Sequence, residues 1–329
     1  MQIPLKIIFN QLKNDLIGKD SHRGITLTYA WMANQFGHFA LGFIPTLILA
    51  KIFDRHFSDP LLKAFIAVAL FWTIFEAYNF LGPLFKLKKK SSFRPNYKNI
   101  GFDTFTDLCF FYIGGLSFYC ILEFQDSVFI ALCILLFLVL FFTAYWFITK
   151  LYMQFSGFPF QLRLSQYTHK MSSNSVKICE NFVQLNVPQH LFVFGNNLSG
   201  KTSLSVSLGT EKAIRHNKVC YLTANKLLDE FYETNEQSFK NNPPSWTWRL
   251  SSCVVIDDIN PGKIDAELLT ADLFFNHLNN PYLSEENIKA ILNQQIIWVI
   301  GNRNYESAWR NSLTKIGVSN SSIESIYLE

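Results

Sequence analysis

Lys201 and Thr202 close an eight-residue run, GNNLSGKT (195–202), whose residue types and spacing suit one task, holding a polyphosphate. Gly195 and Gly200 allow the backbone a tight path, and the N–H groups of Asn196, Asn197, Leu198 and Ser199 can turn toward negative charge. Lys201 adds a cation for the terminal phosphates, and the Thr202 hydroxyl is a ligand for Mg²⁺. Asp257 and Asp258 follow the apolar run CVVI. The first would hold the metal through water, and the second would polarise an attacking water. Asn302 follows another apolar run, QIIWVI, where it could orient that water, although Asn and Gly are also ordinary turn residues. Together these residues describe Mg²⁺-dependent hydrolysis of a nucleoside triphosphate.

A second set of polar residues lies within apolar sequence: His38, Glu76, Asn79, Asp103 and Asp107. Charge in lipid is costly and usually faces a protein interior or a functional site. Glu76 and Asn79 are three apart and Asp103 and Asp107 four apart, so each pair shares a helix face. Three readings are open: a polar network that holds a helical bundle together, a metal or proton site, and a site for a lipid or small polar substrate.

The elements that must carry these residues differ between the two halves of the 329-residue chain. Hydrophobic residues make up 49%, with 33 Phe, a composition that points to lipid for part of the chain. Four apolar segments, about 37–53, 63–85, 104–124 and 127–148, approach or reach the ~20 residues that cross a bilayer. Residues 1–150 are therefore expected to be a four-span transmembrane domain. The basic run KLKKKSSFRPNYK (86–98) faces a short acidic connection, EFQD, at the next turn. The positive-inside rule then places both termini in the cytoplasm, in a bacterial inner membrane. The N-terminus lacks the pattern of a secretory signal. The net charge of +4 is no nucleic-acid signal, and the six cysteines lack C-x-x-C spacing, so neither a zinc site nor a disulfide framework is implied.

Residues 151–184 read as a connector. After them, HLFVF, KVCYLTA, CVVI, QIIWVI and ESIYLE read as five strands separated by helical segments, a P-loop α/β domain with a parallel sheet over 185–329. The series FVFGNNLSGKTSL, VCYLTANKLLDEFYE, CVVIDDIN and IIWVIGNRNYESAW resembles an AAA+ ATPase of the helicase-loader and transposition-helper group. The resemblance implies ATP at Lys201 and Thr202, metal and water chemistry at Asp257 and Asp258, and a sensor role for Asn302. It also implies a homo-oligomer with an arginine supplied by a neighbour, Arg310 by position, with Arg303 the other candidate. The likeness ends at the last core strand and extends to no helical lid and no second sensor arginine. HFALG, FEAYN and NIGFDTFTDLCFFYIGG resemble VanZ-like membrane proteins at His38, Glu76, Asp103, Thr104, Asp107, Leu108, Gly114 and Gly115, with Phe110 where an acidic residue often stands.

The resulting expectation is a membrane-embedded ATPase using ATP and Mg²⁺ to regulate or drive a change in its bundle, with transport, a gated leak or an envelope or defence role as outcomes. Its partners would be the bilayer and an unidentified membrane substrate. The alternative is an ATPase that is only anchored by its spans and remodels a cytoplasmic protein or nucleic acid.

Overall fold

The computed structural model describes residues 3–17, 25–85, 91–231, 245–260, 267–279 and 283–328, with backbone alone for 83–85. The basic run 86–98, on which the expected sidedness rests, is therefore described only from residue 91. Contacts divide the chain into two units, residues 1–89 with 95–151, and residues 90–94 with 152–329. The stretch 151–184, expected to be a connector, falls almost wholly in the second unit. So does the short segment 90–94, although it lies in sequence between two helices of the first.

Unit 1 opens with α1 (Leu5–Leu16), followed by α2 (Leu27–Phe53), α3 (Pro60–Phe85), α4 (Tyr97–Leu122) and α5 (Asp126–Phe155). Among the described residues, α2 to α5 are the four helices long and apolar enough to cross a membrane. The first of them starts ten residues before the apolar run at 37, because Thr26 accepts the Tyr29 N–H and caps a turn there. Half of the α4 span is buried, against 17% for α2 and α3 and 11% for α5, so α4 is the inner helix.

Two local devices fix the bundle. Pro45 lies inside α2 and cannot donate to the Leu41 carbonyl one turn before it. The Trp72 indole N–H of α3 donates to that carbonyl at 3.0 Å, which fills the vacancy with a side chain from a neighbouring helix. Where α2 crosses α4, small residues face backbone. A Cβ on Gly42 would lie 1.9 Å from the Phe111 carbonyl oxygen, and one on Gly114 would lie 2.1 Å from that of Phe39. Only glycine permits this approach, the packing solution that apolar surroundings favour.

Unit 2 begins with the end of α5 and continues through α6 (Ser173–Gln184) to an alternating α/β core. Its elements are β1 (Gln189–Gly195), α7 (Lys201–Ile214), β2 (Val219–Thr223), α8 (Ala224–Glu230) and β3 (Cys253–Asp257). Then come α9 (Ala271–Leu278), α10 (Ser284–Asn293), β4 (Gln295–Ile300), α11 (Glu306–Lys315) and β5 (Ile323–Leu328). The five strands pair in the order β2-β3-β4-β1-β5, and every pairing is parallel. Near-continuous apolar strands such as LFVF and IIWVI are what a sheet covered on both faces requires. Phe274, Trp298 and Trp309 form an aromatic cluster in this core, with ring centroids 5.1 to 5.6 Å apart.

His190 of β1 is buried in that core and accepts a hydrogen bond from the Trp298 indole at 3.1 Å. Burial pushes its pKa down to about 4, against a weaker opposing bond with the Ile291 backbone. The unfolded chain therefore binds one more proton than the folded chain between pH 4 and the ordinary imidazole value of 6.5. Stability from this residue is complete above that window and lost as pH falls through it, about 3 kcal/mol in all. His190→Gln keeps an acceptor for Trp298 but does not titrate. Denaturant unfolding followed by tryptophan fluorescence should show the variant losing less stability across this window than the wild type, by that amount.

Candidate nucleotide site

The site forms at the carboxyl ends of three adjacent strands. β1, between β4 and β5, delivers the chain to Gly195, whose Cβ would stand 2.7 Å from the Leu328 carbonyl oxygen of neighbouring β5. The loop then turns through Leu198 (φ 64°) and Gly200 (φ 85°), and α7 begins at Lys201. A side chain at Gly200 would collide with His169 at 2.7 Å and approach the Tyr167 hydroxyl at 3.1 Å. The sequence GNNLSGKT thus has the strand–loop–helix context its chemistry needs, with the first turn of α7 presenting its N–H groups to the loop.

Lys201 Nζ donates to the Gly195 and Asn196 carbonyls, both at 2.7 Å. Burial lowers its pKa, opposed by the charge of Asp257. Its ammonium is thereby held inside the loop, in place for an anion. Two buried hydroxyls beside the loop, Ser199 Oγ and Tyr167 Oη, have no hydrogen-bond partner. They are groups that a phosphate-bearing ligand or its water could satisfy.

Across a cleft of about 380 Å³ stand the two aspartates, and the lining includes Asn197, Lys201, Thr202, Asp257, Asp258 and Asn260. Asp257 ends β3 and is 2% exposed. Its carboxylate accepts the Tyr221 hydroxyl at 2.9 Å and the Asp258 N–H at 2.8 Å, so its orientation is fixed by both β2 and its own turn. Burial first, and the Asp257 charge and hydrogen bond next, push the Tyr221 phenol far up, which keeps it a donor. Asp258 is exposed and sits at φ 56°, a left-handed conformation that strains a non-glycine residue. Burial and the neighbouring Asp257 charge both raise its pKa. The donors present suit Mg²⁺, an ion that takes few carboxylates and keeps several waters.

Thr202, Asp257 and Asp258 thus converge with the loop. Asn302 does not line the cleft. Its side-chain oxygen accepts the Asn304 N–H at 2.9 Å and caps the short helical turn Arg303–Tyr305. The asparagine in the cleft is Asn260, which accepts the Gly301 N–H at 2.7 Å and so ties the β3 end to the β4 end. Its signal was its place two residues after the aspartate pair. Tyr221 carried no such signal, since nothing in the order of residues says that β2 lies beside β3.

Arg310 is held within the chain: it donates to Glu306 at 2.9 Å, Asn320 at 3.1 Å, the Ile323 carbonyl at 3.1 Å and Ser325 at 2.8 Å. Service to a neighbour's phosphate would cost all four bonds, and the guanidinium instead clamps α11 to β5. Arg303 is exposed, its guanidinium 4.2 Å above the Tyr327 ring.

In unit 1, His38 and Asp107 come together, with Nε2 and Oδ1 3.5 Å apart. Glu76 is buried and hydrogen-bonded to Asn79, and Asp103 lies one turn before Asp107. Among the described residues no group of three or more His, Cys, Asp or Glu is arranged to hold a metal ion.

No family model matches the chain, and no curated protein matches it. Among solved structures, AMPPCP-bound DnaA from Aquifex aeolicus aligns at 18% identity over 50% of this chain and 49% of that one, with a TM-score of 0.29. A crystal structure of DnaI aligns at 15% identity over 55% of this chain and 94% of that one, with a TM-score of 0.31. The chain thus spans about half the length of the DnaA chain. Likeness this distant does not fix an activity, and the sheet order and the cleft stand as properties of this chain itself. No match supports the VanZ-like resemblance.

Tyr221→Phe should leave metal-free nucleotide binding intact while lowering Mg²⁺-supported turnover about 10- to 100-fold, the usual cost of losing a group that orients a metal ligand. Nucleotide titrations with and without Mg²⁺, beside a phosphate-release assay, check this.

Proposed function

We propose that this protein is a membrane-embedded, AAA+-like ATPase that uses ATP and Mg²⁺ to bias two arrangements of its helical bundle. The observation that carries the reading is the cleft in which Lys201 and Thr202, after β1, face Asp257 and Asp258, after β3, across the end of β4. Bound Mg²⁺–ATP would supply the transferable phosphoryl group. Lys201 would exchange its two carbonyl partners for phosphate oxygens. Thr202 and Asp257 would hold the metal, with Tyr221 keeping the carboxylate turned toward it. Asp258, exposed beside the cleft, would orient water and take its proton. These are the positioning and electrostatic tasks that phosphoryl transfer asks of a protein.

The membrane part of the reading rests on surface chemistry. Helix α5 exposes Ile130, Ile134, Phe137 and Phe141, a stripe at helical spacing. An apolar face of that extent is stable in hydrocarbon and a liability in water. Coupling requires that nucleotide bind the two arrangements of the bundle with different affinity. Homo-oligomers would let a neighbour complete the site, and the exposed Arg303 is better placed for that than the clamped Arg310.

Lys201→Ala should lose nucleotide binding or turnover, and Asp258→Asn should bind ATP but hydrolyse it at least ~100-fold more slowly. Equal phosphate release by wild type and both variants would remove the cleft as the active site. If subunits share sites, mixing Asp258→Asn with Arg303→Ala protein should restore part of the activity, and Arg310→Lys should not substitute for Arg303→Ala in that mixture. Substituting His38, Glu76 and Asp107 together should abolish biological function while phosphate release survives. Retained function would favour an ATPase that is merely anchored.

A further inference from the structure

The group of polar residues in unit 1 has a feature that a structural network lacks. Buried polar atoms are normally hydrogen-bonded, because a lost partner in an apolar interior leaves the full desolvation cost uncompensated. Four buried atoms on facing turns of α2 and α4 have no hydrogen-bond partner: Trp31 Nε1, Gln35 Oε1, His38 Nδ1 and Asp107 Oδ1. Trp31 is 7% exposed and Gln35 3%. The Gln35 side chain hydrogen-bonds to Asp107, and His38 lies 3.5 Å from it, so the orphans of these three residues belong to one neighbourhood.

With the Asn34 amide donating to His38, the His38–Asp107 pair is short of one hydrogen. Asn34 Nδ2 lies 3.0 Å from His38 Nε2, and donation there leaves the imidazole's own hydrogen on Nδ1. His38 then has none to offer Asp107, whose Oδ1 stands 3.5 Å away and unpartnered. One added proton supplies the missing hydrogen, either on Asp107 Oδ1, whose O–H then takes the place of the Asn34 donor at Nε2, or on His38 Nε2, with the Asn34 amide turned to present its oxygen. Neither step breaks a covalent bond or moves an electron. A metal fits less well: no set of three or more His, Cys, Asp or Glu is arranged around one among the described residues, and two of the four orphans, Trp31 Nε1–H and His38 Nδ1–H, are donors.

The surroundings give this pair one open side. Asp103, exposed, precedes Asp107 by one turn of α4, and its charge and that of Glu76 on α3 both reach Asp107. Lys150 of α5 is the cation that reaches it. On the other side, one turn further along both helices, Gly42 meets the Phe111 carbonyl, and α2 and α4 are in backbone contact. The Trp72 ring stacks on Phe111 at 4.3 Å and covers the same level from α3.

We propose that His38 and Asp107 form a proton-exchange site, entered from the Asp103 end and closed at the Gly42–Gly114 crossing. The site binds H⁺ and passes it no further while the crossing is shut. This inference rests on reading unit 1 as a membrane bundle and is independent of whether the chain hydrolyses ATP. It names the species that a change in the bundle would release or admit.

The test uses full-length protein in lipid nanodiscs, titrated with acid and base while infrared difference spectra are recorded. The wild type should show a protonated-carboxyl band that is absent in Asp107→Asn and retained, shifted in frequency, in Asp107→Glu. His38→Gln should keep the band but move its titration midpoint by about one pH unit or more, as removal of an imidazole neighbour requires. Asp103→Asn should slow proton uptake after a pH jump without removing the Asp107 band. Superimposable titrations of wild type and Asp107→Asn overturn the proposal, and so does a band that answers to added Na⁺ or Ca²⁺ and not to pH. Phosphate release measured on the same sample separates the two readings. A titrating Asp107 without ATP hydrolysis sinks the ATPase and leaves the proton site, and hydrolysis with a silent Asp107 does the reverse.

Discussion

The order of the parallel sheet governs everything in the nucleotide unit. With β1 between β4 and β5, and β3 on the far side of β4, the loop after β1 and the aspartates after β3 lie one strand apart, with only β4 between them. That spacing leaves room for a phosphate group and an ion, and no side chain has to stretch to reach them. The intervening strand contributes little bulk at its end: Gly301 follows it, and Asn260 ties its N–H to the aspartate turn.

In the first unit the governing constraint is different. A helix in an apolar medium must satisfy every backbone group from within the protein. Pro45 violates that rule on α2 and Trp72 repairs it from α3, so one residue's defect fixes another helix's rotation. The glycine crossing of α2 with α4 sets the remaining freedom. Between these two restraints His38 has little choice but to face Asp107.

Much of this arrangement was legible in the sequence, for physical reasons that also explain the gaps. The strands read clearly because a sheet covered on both faces needs unbroken apolar runs. The loop read clearly because few residue types can cradle a phosphate. The polar-apolar mixture TYAWMANQ ahead of the apolar run was expected as a helical entry to the first span, and the Thr26 cap fixes where that helix begins. Asn302 illustrates a limit of position alone: it follows its strand as expected, yet its carboxamide is spent capping the next turn, while Asn260 reaches the cleft. Arg310 shows the same limit, because the acceptors that surround it, Glu306, Asn320, Ile323 and Ser325, converge only after α11 folds onto β5. Tyr221 became visible only with the strand order.

The short segment 91–94 ends the account of how the chain is partitioned. Phe93 is buried in the second unit, its ring 6.3 Å from that of Tyr167, and Ser91 donates to the Leu164 carbonyl. Tyr167 in turn stands over Gly200. The second unit is therefore not a contiguous piece of polypeptide. A fragment cut at residue 152 would carry every recognised motif and still lack part of its own interior, with an aromatic hollow left open beside the phosphate loop. In the order of synthesis, those few residues are made before α4 and α5, and they must wait for the rest of their unit to be translated. The two halves of this protein are thus threaded through one another in sequence, and neither can be excised, swapped or inherited by a simple cut between them.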